Sequence, residues 1–236
     1  MKATHSRRVF GLAILLVALS SGTPASEKSK ESLEKSKERI ELCPTVDLVS
    51  SYIWRGAYQT GISLQPGLSA TYSGFFMSAW GSTDFSTSFK EFDLSLGYEN
   101  RGFSLIINDY WWAGEGNPYF DYRNLHYYEA GIGYSFGEKF PLSLSWNTFW
   151  DKDASTYIQA AYDFSLSDVG LNLAVGLSPW TGYYHKTGTN GFIIADVVLT
   201  ASKSIPISPN FALPVFTQLI VAPNQNNVYF VFGLSL

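Results

Sequence analysis

One cysteine in 236 residues removes two classes of protein at once. A lone thiol, Cys43, cannot staple a small secreted domain, and it cannot supply the paired ligands of a structural metal centre. Charge is scarce as well: Asp, Glu, Lys and Arg make up 15% of the chain, where an ordinary soluble domain carries about 25%. Histidine occurs three times and never at metal-ligand spacing. No Gly-x-Ser-x-Gly elbow and no phosphate-cradling glycine loop occurs, and no basic patch lies outside one charge-balanced segment. Cofactor, metal and nucleic-acid binding therefore have no support in the sequence. Long apolar runs are missing too. The one run, residues 9–19, is shorter than the roughly 18 residues that a spanning helix needs. No amphipathic helical periodicity follows residue 42.

What is plentiful is aromatic and apolar: 17% Phe, Trp and Tyr within 46% hydrophobic residues, with 20 glycines. The apolar residues alternate. In 91–112 (EFDLSLGYENRGFSLIINDYWW), Phe92, Leu94, Leu96 and Tyr98 interleave with Glu91, Asp93, Ser95 and Gly97. Beyond a Glu-Asn-Arg-Gly turn, Phe103, Leu105 and Ile107 resume the alternation. Strand side chains point to opposite faces with period two, so each segment has one apolar and one polar face. An isolated hairpin is marginal in water and needs neighbours. The pattern recurs about every 16 residues, at 45–56, 60–72, 74–82, 89–99, 102–112, 123–136, 140–150, 154–166, 168–178, 190–202, 210–221 and 226–236. About twelve segments, each near the 9–11 residues of a tilted membrane-crossing strand, predict an all-β, antiparallel, up-and-down transmembrane barrel.

Three regions follow. Residues 1–25 read as a signal peptide, with Lys2, Arg7 and Arg8 ahead of the apolar run and small residues before a cleavage site after Ala25. Residues 26–43 form a charged linker or helix, because 27–41 holds five acids, five bases and only Leu33 and Ile40 as apolar residues. Residues 44–236 form the barrel. Alternate connections are short (Ser73-Gly74, Asn100-Arg101, 137–139, Ser167-Asp168), with 203–209 as a longer exception, and the opposite end carries the long loops 113–122 and 179–189. Short turns on one side and long loops on the other fit a bacterial outer-membrane barrel with lipid as its partner. Trp54, Trp80, Trp111, Trp112, Trp146, Trp150 and Trp180 fall near the long-loop ends of strands, as a membrane girdle would. Tyr72, Phe75, Tyr98, Phe103, Tyr134, Phe136 and Phe140 flank the short turns and predict the second girdle. Pro66 and Pro214 interrupt strands, where a missing N–H predicts a bulge at each.

SSYIWRG (50–56), Gln65-Pro66, GFFMSAWGS (74–82), EFDLSLGY (91–98) and Tyr128-Glu129 in a strand with Gly131 and Gly133 occur in that order. Together they resemble the TorF-type porins of the outer membrane, most closely over 50–100. The resemblance implies an outer-membrane pore and names no solute. The terminal Leu236 departs from the aromatic residue that commonly ends such barrels.

If the apolar faces meet lipid, the intervening residues face the lumen: Asp47, Arg55, Gln65, Glu91, Asp93, Asn108, Glu129, Asn147, Gln159, Asp163, Asn172, Asp196 and Gln218. Six carboxylates stand against one guanidinium, and loss of the leader takes the formal charge from −4 to −7. Acidic rings favour cations in a pore, which predicts passive diffusion of small polar solutes or cations. The same groups could instead fill a closed lumen with hydrogen bonds. Arg55 is either a selectivity element or the partner of Glu91 or Asp93. Two other classes stay open. A surface barrel would bind partners through loop residues such as Tyr119, Phe120 and Tyr122. A membrane-embedded hydrolase would depend on His126 or His185, for which no nucleophile can be singled out.

Overall fold

A computed structural model describes residues 39–85, 90–112, 114 and 116–236. The expected leader and most of the charged segment lie outside the described residues. Among the described residues fourteen strands follow one another: β1 (Glu41–Val49), β2 (Tyr52–Trp54), β3 (Ala57–Thr60), β4 (Ser63–Tyr72), β5 (Phe75–Asp84), β6 (Lys90–Asn100) and β7 (Phe103–Trp111). The second half holds β8 (Tyr127–Ser135), β9 (Leu142–Phe149), β10 (Thr156–Leu166), β11 (Val169–Ser178), β12 (Ile193–Ser208), β13 (Phe211–Ala222) and β14 (Asn227–Ser235). Twelve of them close an antiparallel up-and-down barrel in which β1 joins β4 on one side and β14 on the other. The remaining two, β2 and β3, form a separate hairpin.

The alternation is what builds the wall. On β6 the outward Leu94 and Leu96 are exposed while Glu91 and Asp93 are buried, and β7 repeats this with Leu105 and Ile107 against Ser104 and Asn108. Inward positions are small, polar or ringed, and several are glycine where a neighbouring ring lies across them. Gly97 makes room for Phe76, Gly176 for Tyr157 and Gly233 for Phe216. The tight turns at one end use a residue of positive φ followed by glycine (Ser73-Gly74, Arg101-Gly102), the two-residue geometry whose twist matches paired strands. Rings belt that end from outside: Phe75 meets Tyr98 at 4.7 Å, and Tyr134, Phe136 and Phe140 touch in series.

Several expectations change. β1 begins at Glu41, so the last residues of the charged segment join the wall, Glu41 opposite Thr71 and Cys43 opposite Ser69. The segment 203–209 is strand rather than loop: β12 runs to Ser208, and Pro209-Asn210 alone turns the chain into β13. No bulge sits at either proline. The β4–β5 ladder skips Gln65 and Pro66 without changing register. Pro214 lies just past the point where β13 loses β14, whose last pair is Val215 with Leu234, so no ladder bond to β14 is forfeited there.

The tryptophans sort by level along the barrel but not by side. Trp146 (41% exposed), Trp150 (64%) and Trp180 face outward, with Trp146 and Trp180 in contact at 6.0 Å. Trp54, Trp80 and Trp112 turn inward, against Tyr110, Tyr52 and Tyr127 respectively. Trp111 holds an outward position, covered by Tyr119 from the loop after β7. The seam that closes the barrel is short. β14 pairs with β1 through Asp47–Ser235, Leu48–Leu234 and Val49–Gly233, with flanking bonds Val46–Leu236 and Ser50–Phe232.

Candidate functional site

After Ser50 the chain leaves the wall and does not return until Ser63. Between them β2 and β3 fold into the barrel. The segment expected as the end of one wall strand and the start of the next is thus an inward hairpin. Arg55 (φ 49) and Gly56 (φ 79) form its two-residue turn, with Trp54 opposite Ala57. Gly56 is required twice over. An L-residue is strained at that φ, and a Cβ there would lie 2.6 Å from the Ala195 carbonyl oxygen. The hairpin tip therefore touches β12, three strands round the wall from β1.

Three wall carboxylates hold the hairpin. Arg55 Nη1 and Nη2 donate to Glu129 Oε1 and Oε2 at 2.5 and 2.9 Å, a bidentate pair whose carboxylate is 0% exposed. The Tyr110 hydroxyl donates to the same carboxylate at 2.9 Å and that of Tyr184 at 3.1 Å, while Arg55 also donates to Tyr184. Tyr52 hydrogen-bonds Glu91, and Thr60 Oγ1 donates to Asp84 Oδ2 at 2.7 Å. The Arg55 guanidinium lies 4.6 Å from the ring centroids of both Trp54 and Tyr157, the geometry of a cation over an aromatic face. Apolar packing completes the attachment. Ile53 sits on Val49, Val198, Phe216, Ile220 and Val231, and Trp54 on Tyr110, Phe149, Tyr157 and Tyr184.

From the loop end, the segment between β11 and β12 caps this assembly. Tyr183 N donates to Ser155 Oγ at 2.8 Å, and Asn224 Nδ2 donates to the Tyr184 carbonyl at 3.0 Å. Towards the tight turns the lumen opens into a cavity of ≈ 510 Å³. Asp47, Asp93, Glu99, Asp163 and Asp196 line it, and Arg55, already committed to Glu129, is the one cation among its lining residues. Asp47 accepts from Ser235 at 2.6 Å, Asp196 from Tyr157 at 2.8 Å and Asp163 from Asn172 at 2.8 Å.

Each residue read as lumen-facing occupies an inward position, and the structure divides them by task. Glu129 and Glu91 anchor the hairpin. Asp47, Asp93, Asn108, Asn147, Gln159, Asp163, Asn172 and Asp196 line the larger cavity. Gln65 and Gln218 border a smaller one of ≈ 50 Å³ beside the hairpin. Arg55 reaches Glu129 rather than Glu91 or Asp93. Sequence reasoning missed Tyr52, Thr60, Asp84, Tyr110, Tyr157 and Tyr184. The Arg55-Gly56 pair was the available signal, since a glycine in second place is what such a turn requires.

Both described imidazoles are occupied. His126 Nδ1 meets Asp109 Oδ1 at 2.7 Å and Nε2 meets the Tyr119 carbonyl at 2.5 Å. His185 accepts from Gly182 N at 3.3 Å and meets the Gly191 carbonyl at 2.7 Å. Beside His126, burial and then a bond with Tyr122 push the Tyr119 hydroxyl up to about 12, so it stays a neutral donor.

The fold and its interior define a closed twelve-stranded barrel with an inward first hairpin and an acidic cavity beneath it. The chain belongs to a family of bacterial proteins of unknown function (Gcw_chp), whose family model matches residues 34–193. That span contains the hairpin, all three carboxylates that hold it and the capping Tyr184. A search of curated proteins finds no match.

Proposed function

We propose that this chain is a bacterial outer-membrane channel, of the TorF porin type, through which small polar solutes or cations diffuse, with the β2–β3 hairpin as the constriction of its bore. The observation that carries this reading is the acid-lined cavity. It runs from the tight-turn end to the underside of the hairpin, inside a barrel whose outward face is apolar and edged with rings. Acidic linings in a low-dielectric bore favour cations. The interior also supports a second reading, a surface barrel with a filled lumen, because hairpin and rings occupy the loop-end half.

Single-channel recording in planar bilayers separates the two. The wild-type chain is expected to give small steps, and a variant with 52–60 replaced by a Gly-Ser linker larger ones. A KCl gradient should give a cation-selective reversal potential for both. Silence from both proteins, each shown to be folded, would decide for the filled barrel.

A further inference from the structure

The inward hairpin is the far end of a longer one. Val49 of β1 lies opposite Ser63 of β4, and three steps further along each strand Tyr52 lies opposite Thr60. The register is the same on both sides of the bend, so β1–β2 and β3–β4 form one hairpin, folded inward at 50–51 and 61–62. Serine hydroxyls take over ladder positions at the fold. Ser50 Oγ accepts from Phe232 N at 3.0 Å, Ser51 Oγ donates to the Ser50 carbonyl at 2.8 Å, and Ser63 Oγ donates to the Gly61 carbonyl at 2.8 Å.

Where the chain leaves the wall, β14 keeps a bare edge. It bonds to β1 only as far as Phe232 and runs on to Asn227 beside β13. Phe232 and Leu236 turn their backbone towards β1, so by alternation Phe230 and Val228 do too. Among the described residues no strand meets them there, because β2 and β3 pair with each other alone. Tyr58 stacks on Tyr229 at 6.4 Å, a ring contact and no ladder bond. Phe230 and Val228 face outward, 70% and 63% exposed, and unmet backbone groups are costly against lipid.

We infer that the hairpin has a second seat: it straightens about 50–51 and 61–62, and β2 takes the bare edge of β14. Carrying the β1–β14 register onward sets Tyr52 opposite Phe230 and Trp54 opposite Val228. By the same parity Tyr52 and Trp54 then face lipid at the outer girdle, as the alternation of 50–56 predicts, while Ile53 and Arg55 face the lumen. The exchange gives β14 its missing bonds and gives up the inner contacts of Arg55, Tyr52 and Trp54, which make the inward seat the favoured one. Straightening removes the constriction, so the hairpin is a gate. That consequence rests on the channel reading; the motion itself does not.

Trp54→Cys with Val228→Cys, in a Cys43→Ser background, tests the motion. In the inward seat Trp54 lies against Tyr110, Phe149 and Tyr184, while Val228 is on the outer face. As partners on paired strands their Cα atoms come within about 5.5 Å, a span that a disulfide bridges. In lipid vesicles with an oxidant the pair should close within one chain. Adding Arg55→Met, which removes the buried pair with Glu129, should speed closure about tenfold or more. Phe230→Pro needs no cysteine: on a bare edge it should destabilise no more than Phe230→Ala, and it denies β2 an N–H. Wild-type recordings should show brief excursions to a larger step, lost in Phe230→Pro. No disulfide in folded protein carrying Arg55→Met, a disulfide between two chains, or a Phe230→Pro loss well beyond that of Phe230→Ala would each overturn the inference. If the cysteine variant does not fold, the two Phe230 variants decide alone. Bilayer recordings on the oxidised preparation keep the two readings apart: a disulfide without conductance removes the channel and leaves the hinge, and conductance with no disulfide does the reverse.

Discussion

Substituting Arg55 by methionine keeps the length of the side chain, removes its charge and leaves Glu129 facing the lumen alone. Removing one partner of a buried ion pair costs about 3–5 kcal/mol, because the survivor stays desolvated. Two features set where in that range the effect falls. Glu129 keeps the Tyr110 and Tyr184 hydroxyls as donors, which moderates the loss. Against this, the contacts of the guanidinium with Trp54 and Tyr157 also go, at about 1 kcal/mol each. Arg55→Met is therefore expected to lose about 3–4 kcal/mol. Glu129→Gln strands the guanidinium instead and should cost about 3 kcal/mol. The double variant has no stranded charge and should lie within about 2 kcal/mol of wild type, a coupling of several kcal/mol. Urea unfolding in lipid vesicles, followed by tryptophan emission, measures all four corners of the cycle. Additive losses would refute the reasoning, and so would an Arg55→Met midpoint equal to wild type, because either result would mean that the hairpin is not held by this pair.

Leu96 is 61% exposed on the outward face and Ser95 points inward, so Leu96→Arg should destabilise the folded state in vesicles by about 2–4 kcal/mol while Ser95→Arg is milder; equal losses would contradict the lipid-facing assignment. In a Cys43→Ser background, cysteines at Gly116 and Gly188 should react with an impermeant maleimide on intact cells, and one at Ser167 only after the outer membrane is breached; labelling at Ser167 alone would invert the barrel.

The wall was legible because its signal is local. Period-two alternation and glycine turns name a strand and its two faces whatever the strand packs against. Residues 50–62 carry the same alternation, Tyr52 and Trp54 against Ile53 and Arg55, and nothing local tells a strand in the wall from one inside the lumen. That distinction arises from contacts far along the chain, Arg55 with Glu129 and Gly56 with Ala195. The tryptophans show the same division. Their distance from the turns fixed their level, but their side follows from parity. Trp80 shares its face with Ser78 and Ser82 and so turns inward, while Trp146 shares its face with Leu144 and turns out. Asp93 was placed in the lumen by that parity. Its hydrogen bond with Glu91, which also bonds Tyr52 of the hairpin, is something only the assembled interior reveals.

The short closing seam carries an imino acid that limits how the barrel's stagger can shift. Val46 exchanges both backbone bonds with Leu236, so by alternation Pro44 presents its backbone to the same edge, two residues nearer the tight turns. A slip of β14 by one residue would turn Ser235 away from Asp47 and reverse every facing. A slip by two towards the turns would preserve facing but set the Leu236 carbonyl against a nitrogen with no hydrogen. Strand number and stagger together fix the diameter of a closed sheet. Pro44 thus acts as a stop on the stagger in that direction, at the seam where the first and last wall strands meet.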